Sequence, residues 1–163
     1  MSHSRIFQLG LKPIKKEDYA SSEQFYDNSH DFADYIGDEV EGAERKEDIG
    51  RLADTLKDIF TLDAKNDALV YKGESAMSAF KAEWAAGIAK AASVINSRNV
   101  VESHHRYEVG KVCDCTHLNT GFRFKIEGWS DYAGTAAELV SYVASEMKHG
   151  AKLYVAAVID YHC

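Results

Sequence analysis

Three groups of side chains in this sequence are of types that do chemistry, and each needs a different scaffold. The tightest is Cys113-Asp114-Cys115-Thr116-His117. On an extended chain its two thiols and imidazole share one face, as residues at i, i+2 and i+4 do. Sulfur and nitrogen donors in that arrangement suit zinc. The same face also carries Tyr107 and Val109, so Cys113 and Cys115 read equally as small core side chains. A structural zinc site takes four protein ligands. Cys113, Cys115 and His117 supply three, unless His162 or Cys163 swings in. The expectation is no bound metal and no cofactor.

The second group depends on topology. If the last strand runs antiparallel to one beginning at His105, then His162 and Cys163 meet the end where Glu102, His104 and His105 lie. Trp129 falls near the same edge. Imidazoles beside carboxylates can serve as general acid and base or hold a metal. His104, His105, Asp160 and His162 are therefore the catalytic candidates of one functional reading, a small enzyme or metal-binding protein built at histidine-bearing strand ends.

The third group is the least generic. Between Glu17 and Asp67 stand 16 acidic and 5 basic residues, a local balance of −11, while the whole chain carries −7. Tyr19, Phe25, Tyr26, Phe32 and Tyr35 lie among these carboxylates, and disordered segments are aromatic-poor, so the region is expected to be docked. Carboxylates interleaved with aromatics suit a surface for a basic partner protein, with Asp31, Asp34, Asp38 and Glu41 as its exposed members. Carried further, a spaced carboxylate array imitates a phosphate backbone. This gives the leading reading, a non-catalytic interaction domain. Direct nucleic-acid binding is not expected, because Lys12, Lys15 and Lys16 are the nearest approach to a basic cluster. Glycine-rich phosphate loops and nucleophile elbows are absent from the sequence.

These groups must be positioned by regular elements. Residues 6–11 read as a strand stopped by Pro13, the chain's one proline. Phe32, Tyr35 and Ile36 have the spacing of a short helix over 31–36. Ile49, Leu52, Leu56, Ile59 and Phe60 predict a helix over 44–60, with Asp54 and Asp58 as a like-charged i,i+4 pair. Residues 68–71 read as a short strand. A long helix over 75–97 carries Phe80, Trp84 and Ile88 among many alanines. Its thin flanks allow close helix contact, and with it a homodimer.

Residues 105–115 and 121–127 alternate with period two around Leu118-Asn119-Thr120-Gly121, which predicts a β-hairpin. A helix over 135–147 and a strand over 153–159, apolar on both faces, complete the chain. Such a strand belongs at the sheet centre. On this reading it runs parallel to residues 122–126 and pairs with the first hairpin arm.

The expected fold is a single α+β domain of 163 residues. It has a mainly antiparallel or mixed sheet of about four or five strands, helices on one face and a C-terminal β-β-α-β unit. Three cysteines without framework spacing, no apolar run of about 18–20 residues and no secretory pattern give the expectation of a soluble cytoplasmic protein that meets no membrane.

Overall fold

The computed structural model describes residues 3–28, 32–98 and 105–163. The chain opens with β1 (His3–Gly10), followed by two 3-10 turns, Lys16–Asp18 and Ser22–Asn28. Then come β2 (Tyr35–Glu39), α1 (Gly42–Thr55), β3 (Phe60–Asp63), β4 (Ala68–Tyr71) and α2 (Glu74–Ala92). The last part runs α3 (His105–His117), β5 (Arg123–Ile126), α4 (Ala136–Glu146) and β6 (Lys152–His162). One mixed six-stranded sheet has the order β3-β4-β6-β1-β5. β2 shares an edge of β6 with β4, pairing its last residues while β4 pairs its first. The architecture is α+β.

β6 is central because both of its faces are apolar. Leu153, Val155 and Val158 join the larger core with Phe7 and Leu9 of β1 and Phe124 and Ile126 of β5. Leu52 of α1, Met77 of α2 and Leu139, Val140 and Val143 of α4 cover this face. α4 starts where the sequence offers a cap. The Thr135 hydroxyl accepts from the Glu138 amide at 3.3 Å, and the Glu138 carboxylate accepts from the Thr135 amide at 2.6 Å. Ile6, Ala157, Ile159 and Tyr161 face the other way, under Ala20, Phe25 and Ile36. The aromatic, acidic segment is thus docked on the second face, with Tyr19 and Phe32 packed beside it. Buried Gln8 pins it there. Its amide donates to Asp18 O and the Glu127 carboxylate and accepts from the amides of Ala20 and Ala157.

β6 changes phase midway. Phe7 pairs with Val158 but Leu9 pairs with Val155, so Ala156 and Ala157 stand opposite the single Gln8 in a β-bulge. Arg45 of α1 reaches over it, donating to the carbonyls of Val155 at 2.8 Å and Ala156 at 2.9 Å. Strict alternation through residues 153–159 therefore does not hold: Val158 shares its face with Val155, and Ala157 does not.

Several expected elements are corrected. Residues 105–115 form helix α3 rather than a hairpin arm. Among residues 107–118 the half-buried positions include Glu108, Val112, Cys115, Thr116 and Leu118, which is helical spacing, and the alternating Tyr107, Val109 and Cys113 are exposed. Docking on α2 decides between the two periods, with the Trp84 indole donating to Cys115 O at 2.6 Å. The C-terminal unit is accordingly α-β-α-β. β1, not a hairpin arm, lies between β5 and β6; it is parallel to β5 and antiparallel to β6, which makes β6 antiparallel to β5.

Residues 35–39 are strand β2, because Ile36 is drawn onto the second sheet face beside Tyr161. α1 ends at Thr55. Leu56, Ile59 and Phe60 stay buried, but Phe60 already belongs to β3, and Asp58 lies in the turn beyond the helix. Asp54 and Asp58 are therefore not an i,i+4 helical pair. Phe80 and Trp84 pack partly buried against the larger core. Among the described residues, no helix is long and apolar enough to cross a membrane.

Candidate functional site

The end of the sheet where β1 begins and β6 finishes gathers the residues with the most chemistry. His3 stands opposite His162, Arg5 opposite Asp160, and Tyr35 of β2 opposite His162 from the other side. Because directly opposed residues of an antiparallel pair point to the same face, Asp160 and His162 share a face with His3 and Arg5. The Asp160 Oδ2 atom meets His3 Nδ1 at 3.1 Å and His162 Nε2 at 3.0 Å. The two imidazoles lie against each other with centroids 3.8 Å apart, and the Tyr35 ring meets His162 edge-on at 5.7 Å. Gly37 leaves room for this carboxylate, since a Cβ there would come within 3.2 Å of Asp160 Cβ.

Beneath the cluster runs a fastened chain of charges. Arg5 is 7% exposed and Asp48 of α1 is 2% exposed. Arg5 donates through Nε to Asp48, through Nη1 to Asp160 Oδ1 and through Nη2 to Glu44 at 2.8 Å. The other oxygen of Asp48 accepts from Arg51 at 2.9 Å. Buried charges persist only when paired in this way. The arrangement fixes Asp160 with one oxygen on a guanidinium and the other toward the imidazoles. Two guanidinium groups here face the three carboxylates of Glu44, Asp48 and Asp160.

Beside the cluster opens a cleft of about 350 Å³, lined by Tyr35, Gly37, Asp38, Glu39, Glu41, Glu44 and Asp160 among others. Lys16 reaches its rim, with its ammonium 2.5 Å from Glu39 and 2.8 Å from Glu41. The two carboxylates raise the Lys16 pKa, and Lys16 holds the Glu41 carboxyl below its ordinary value. A larger depression of about 850 Å³ lies at the far end of β1, where Lys12, Lys15 and Lys125 face Asp18 and Glu127.

The structure brings together Asp160 and His162 from the expected strand-end group, with His3 and Arg5 as the residues that sequence reasoning missed. Taking the strand to begin at Ile6 left them outside it, although His3, Arg5, Phe7 and Leu9 alternate in phase. Of the remaining members, His104 and Glu102 lie outside the described residues, and His105 opens α3, which packs on α2 and α4. Trp129 follows β5 at the Gly10 end of β1, its ring against Tyr142. It is at the opposite end of the sheet from His162.

Cys113, Cys115 and His117 sit on a helix. Two positions there are about 200° apart, so the thiols do not share a face. Of the acidic group, Asp38 and Glu41 line the cleft, exposed Asp34 donates its amide to His162 O at 2.8 Å, and Asp31 lies outside the described residues. Other carboxylates of the acidic half are matched by cations elsewhere. Asp67 pairs with Arg45, and Asp63 pairs with Lys152, which together with Asn66 lowers the Asp63 pKa to about 2.

No known protein family, curated protein or solved structure matches this chain.

Proposed function

We propose that this chain is an interaction domain that takes a basic segment of a partner protein into the cleft beside β2. One observation supports this reading: five acidic residues, Asp38, Glu39, Glu41, Glu44 and Asp160, line one concavity, with the two cations Lys16 and Arg5 set against them. The surplus is negative where a partner would enter. The seat taken by Lys16 indicates what the walls accept, since Glu39 and Glu41 are spaced to share one ammonium. Tyr35, 58% exposed at the rim, offers an aromatic surface for the stem of a lysine or the plane of an arginine.

The pairing of Asp63, Asp67 and Asp48 with internal cations narrows the reading from the whole acidic half to this cleft. Titration with a lysine- and arginine-rich peptide tests it, comparing the native chain with Asp34→Asn/Asp38→Asn/Glu41→Gln. Binding is expected to weaken as salt rises past about 0.15 M, where the Debye length falls to about 8 Å, and to weaken in the variant. Equal binding by both proteins at all salt concentrations would remove the cleft from consideration.

A further inference from the structure

We infer that His3, Asp160 and His162 form a binding site for a divalent first-row metal ion such as zinc, cobalt(II) or iron(II). This assignment does not depend on the basic-partner reading. The three side chains offer one ligand atom each, all within 4.8 Å of one another. Two imidazole nitrogens and one carboxylate oxygen are a donor set that binds zinc and iron(II) and leaves positions open.

The distances permit chelation by all three groups. Metal–ligand bonds of about 2.0–2.2 Å place neighbouring ligand atoms about 3.3–3.6 Å apart in a tetrahedron and about 2.8–3.1 Å apart at right angles. The Asp160 oxygen lies 3.1 Å from the His3 nitrogen and 3.0 Å from the His162 nitrogen. Both edges, and the nitrogen–nitrogen edge within 4.8 Å, are short enough for one ion to gather the three atoms, and His3, whose side chain is 61% exposed, has room to adjust.

The surroundings favour this use over a simple ion-pair cluster. Arg5 binds the Oδ1 atom of Asp160 and leaves Oδ2 to the imidazoles, and an outer partner of this kind orients a ligating carboxylate. Its positive charge does not repel the cation unopposed, because Asp48 and Glu44 hold the same guanidinium. The Tyr35 ring packs edge-on against His162, and Tyr35 and Asp160 also line the acidic cleft, so the cluster borders a cavity.

The test is titration of the tag-free 163-residue chain with zinc against a chromophoric chelator, and with cobalt(II) followed by its absorption spectrum. One ion per chain is expected. The cobalt spectrum should be that of oxygen and nitrogen ligands without a thiolate band, and Cys113→Ser/Cys115→Ser should leave the affinity unchanged. His162→Ala, Asp160→Asn and His3→Ala are each expected to weaken binding by about tenfold or more. His3→Ala alters an exposed side chain, so it reports on the site even if Asp160→Asn disturbs the Arg5 network. Absence of stoichiometric binding, unchanged affinity in His3→Ala and His162→Ala, or a thiolate-to-cobalt charge-transfer band would each overturn the assignment. Since none of these measurements uses a basic peptide, failure here leaves the partner reading to its own titration.

Discussion

At the start of β1, charged side chains are fastened to one another beneath α1, whereas α2 and α3 lean on each other with most of their surface in solvent. Arg5 alone ties together Asp48, Glu44 and Asp160. In α2, Met77 is the one fully buried residue, and none of residues 107–117 of α3 is buried. The first region is held by groups that cannot be removed singly without stranding a charge. The second is held by helix propensity, a partly buried Phe80–Trp84 pair and one indole hydrogen bond. The difference teaches where stability is concentrated and where local opening should begin, because segments with few buried contacts open at the lowest free energy.

The largest effect is expected for Arg5→Met. Removing the guanidinium leaves Asp48, buried under α1, with Arg51 alone, and breaking a buried pair costs about 3–5 kcal/mol. Chemical denaturation measures this. A loss under about 1 kcal/mol would make the cluster an ordinary solvated one and erase the contrast.

Trp84→Phe should cost about 1 kcal/mol through the lost hydrogen bond to Cys115 O, with faster amide exchange in α3 and little change in the strands. Slowed folding of the whole sheet would instead show that the arm formed by α2 and α3 is integral to the core.

The smallest effect is a gain. Gly110 lies inside α3 with open space where a Cβ would go, so Gly110→Ala should stabilise the helix by about 0.5–1 kcal/mol. If the arm opens by itself, slower exchange will be confined to α3 and the global unfolding midpoint will hardly move. A midpoint that rises by the full amount would mean that arm and sheet unfold together.

What the sequence made legible follows from how far each signal reaches. β4 is a short apolar segment, β5 alternates Phe124 and Ile126 with Arg123 and Lys125, and α4 carries its own Thr135–Glu138 cap, so local patterns sufficed. Two regions were decided by neighbours distant in sequence. Residues 105–115 alternate like a strand, but α2 offers them a helical partner. Tyr35 and Ile36 are spaced like helix residues with Phe32, but β6 offers them a ladder.

The site divides in the same way. Asp160 and His162 were visible as chemistry at a strand end. His3 and Arg5 were not, because a buried arginine within a strand contradicts the apolar criterion used to find strands, and its stabilising partners lie about 40 and about 155 positions away. The acidic excess between Glu17 and Asp67 overstated the free charge for a related reason: Arg5 and Lys152, from the two ends of the chain, fold back to meet Asp48 and Asp63.

The bulge at Ala156–Ala157 has a consequence best put as parity. In a strand, odd and even residues are sorted to opposite sides, and one extra residue exchanges the two classes for everything that follows. Here the exchange lets the odd positions Leu153 and Val155 and the even positions Val158, Asp160 and His162 lie on one side, so the same strand lines an oily core with its first half and a charged cluster with its second. Deleting one alanine would restore strict alternation, leave Asp160 and His162 opposite Arg5 and His3, and remove the bulge contacts that Gln8 and Arg45 make. A single inserted residue, held by Gln8 on one side and Arg45 on the other, thus acts as a spacer that keeps β6 in step with β1 while its numbering changes parity.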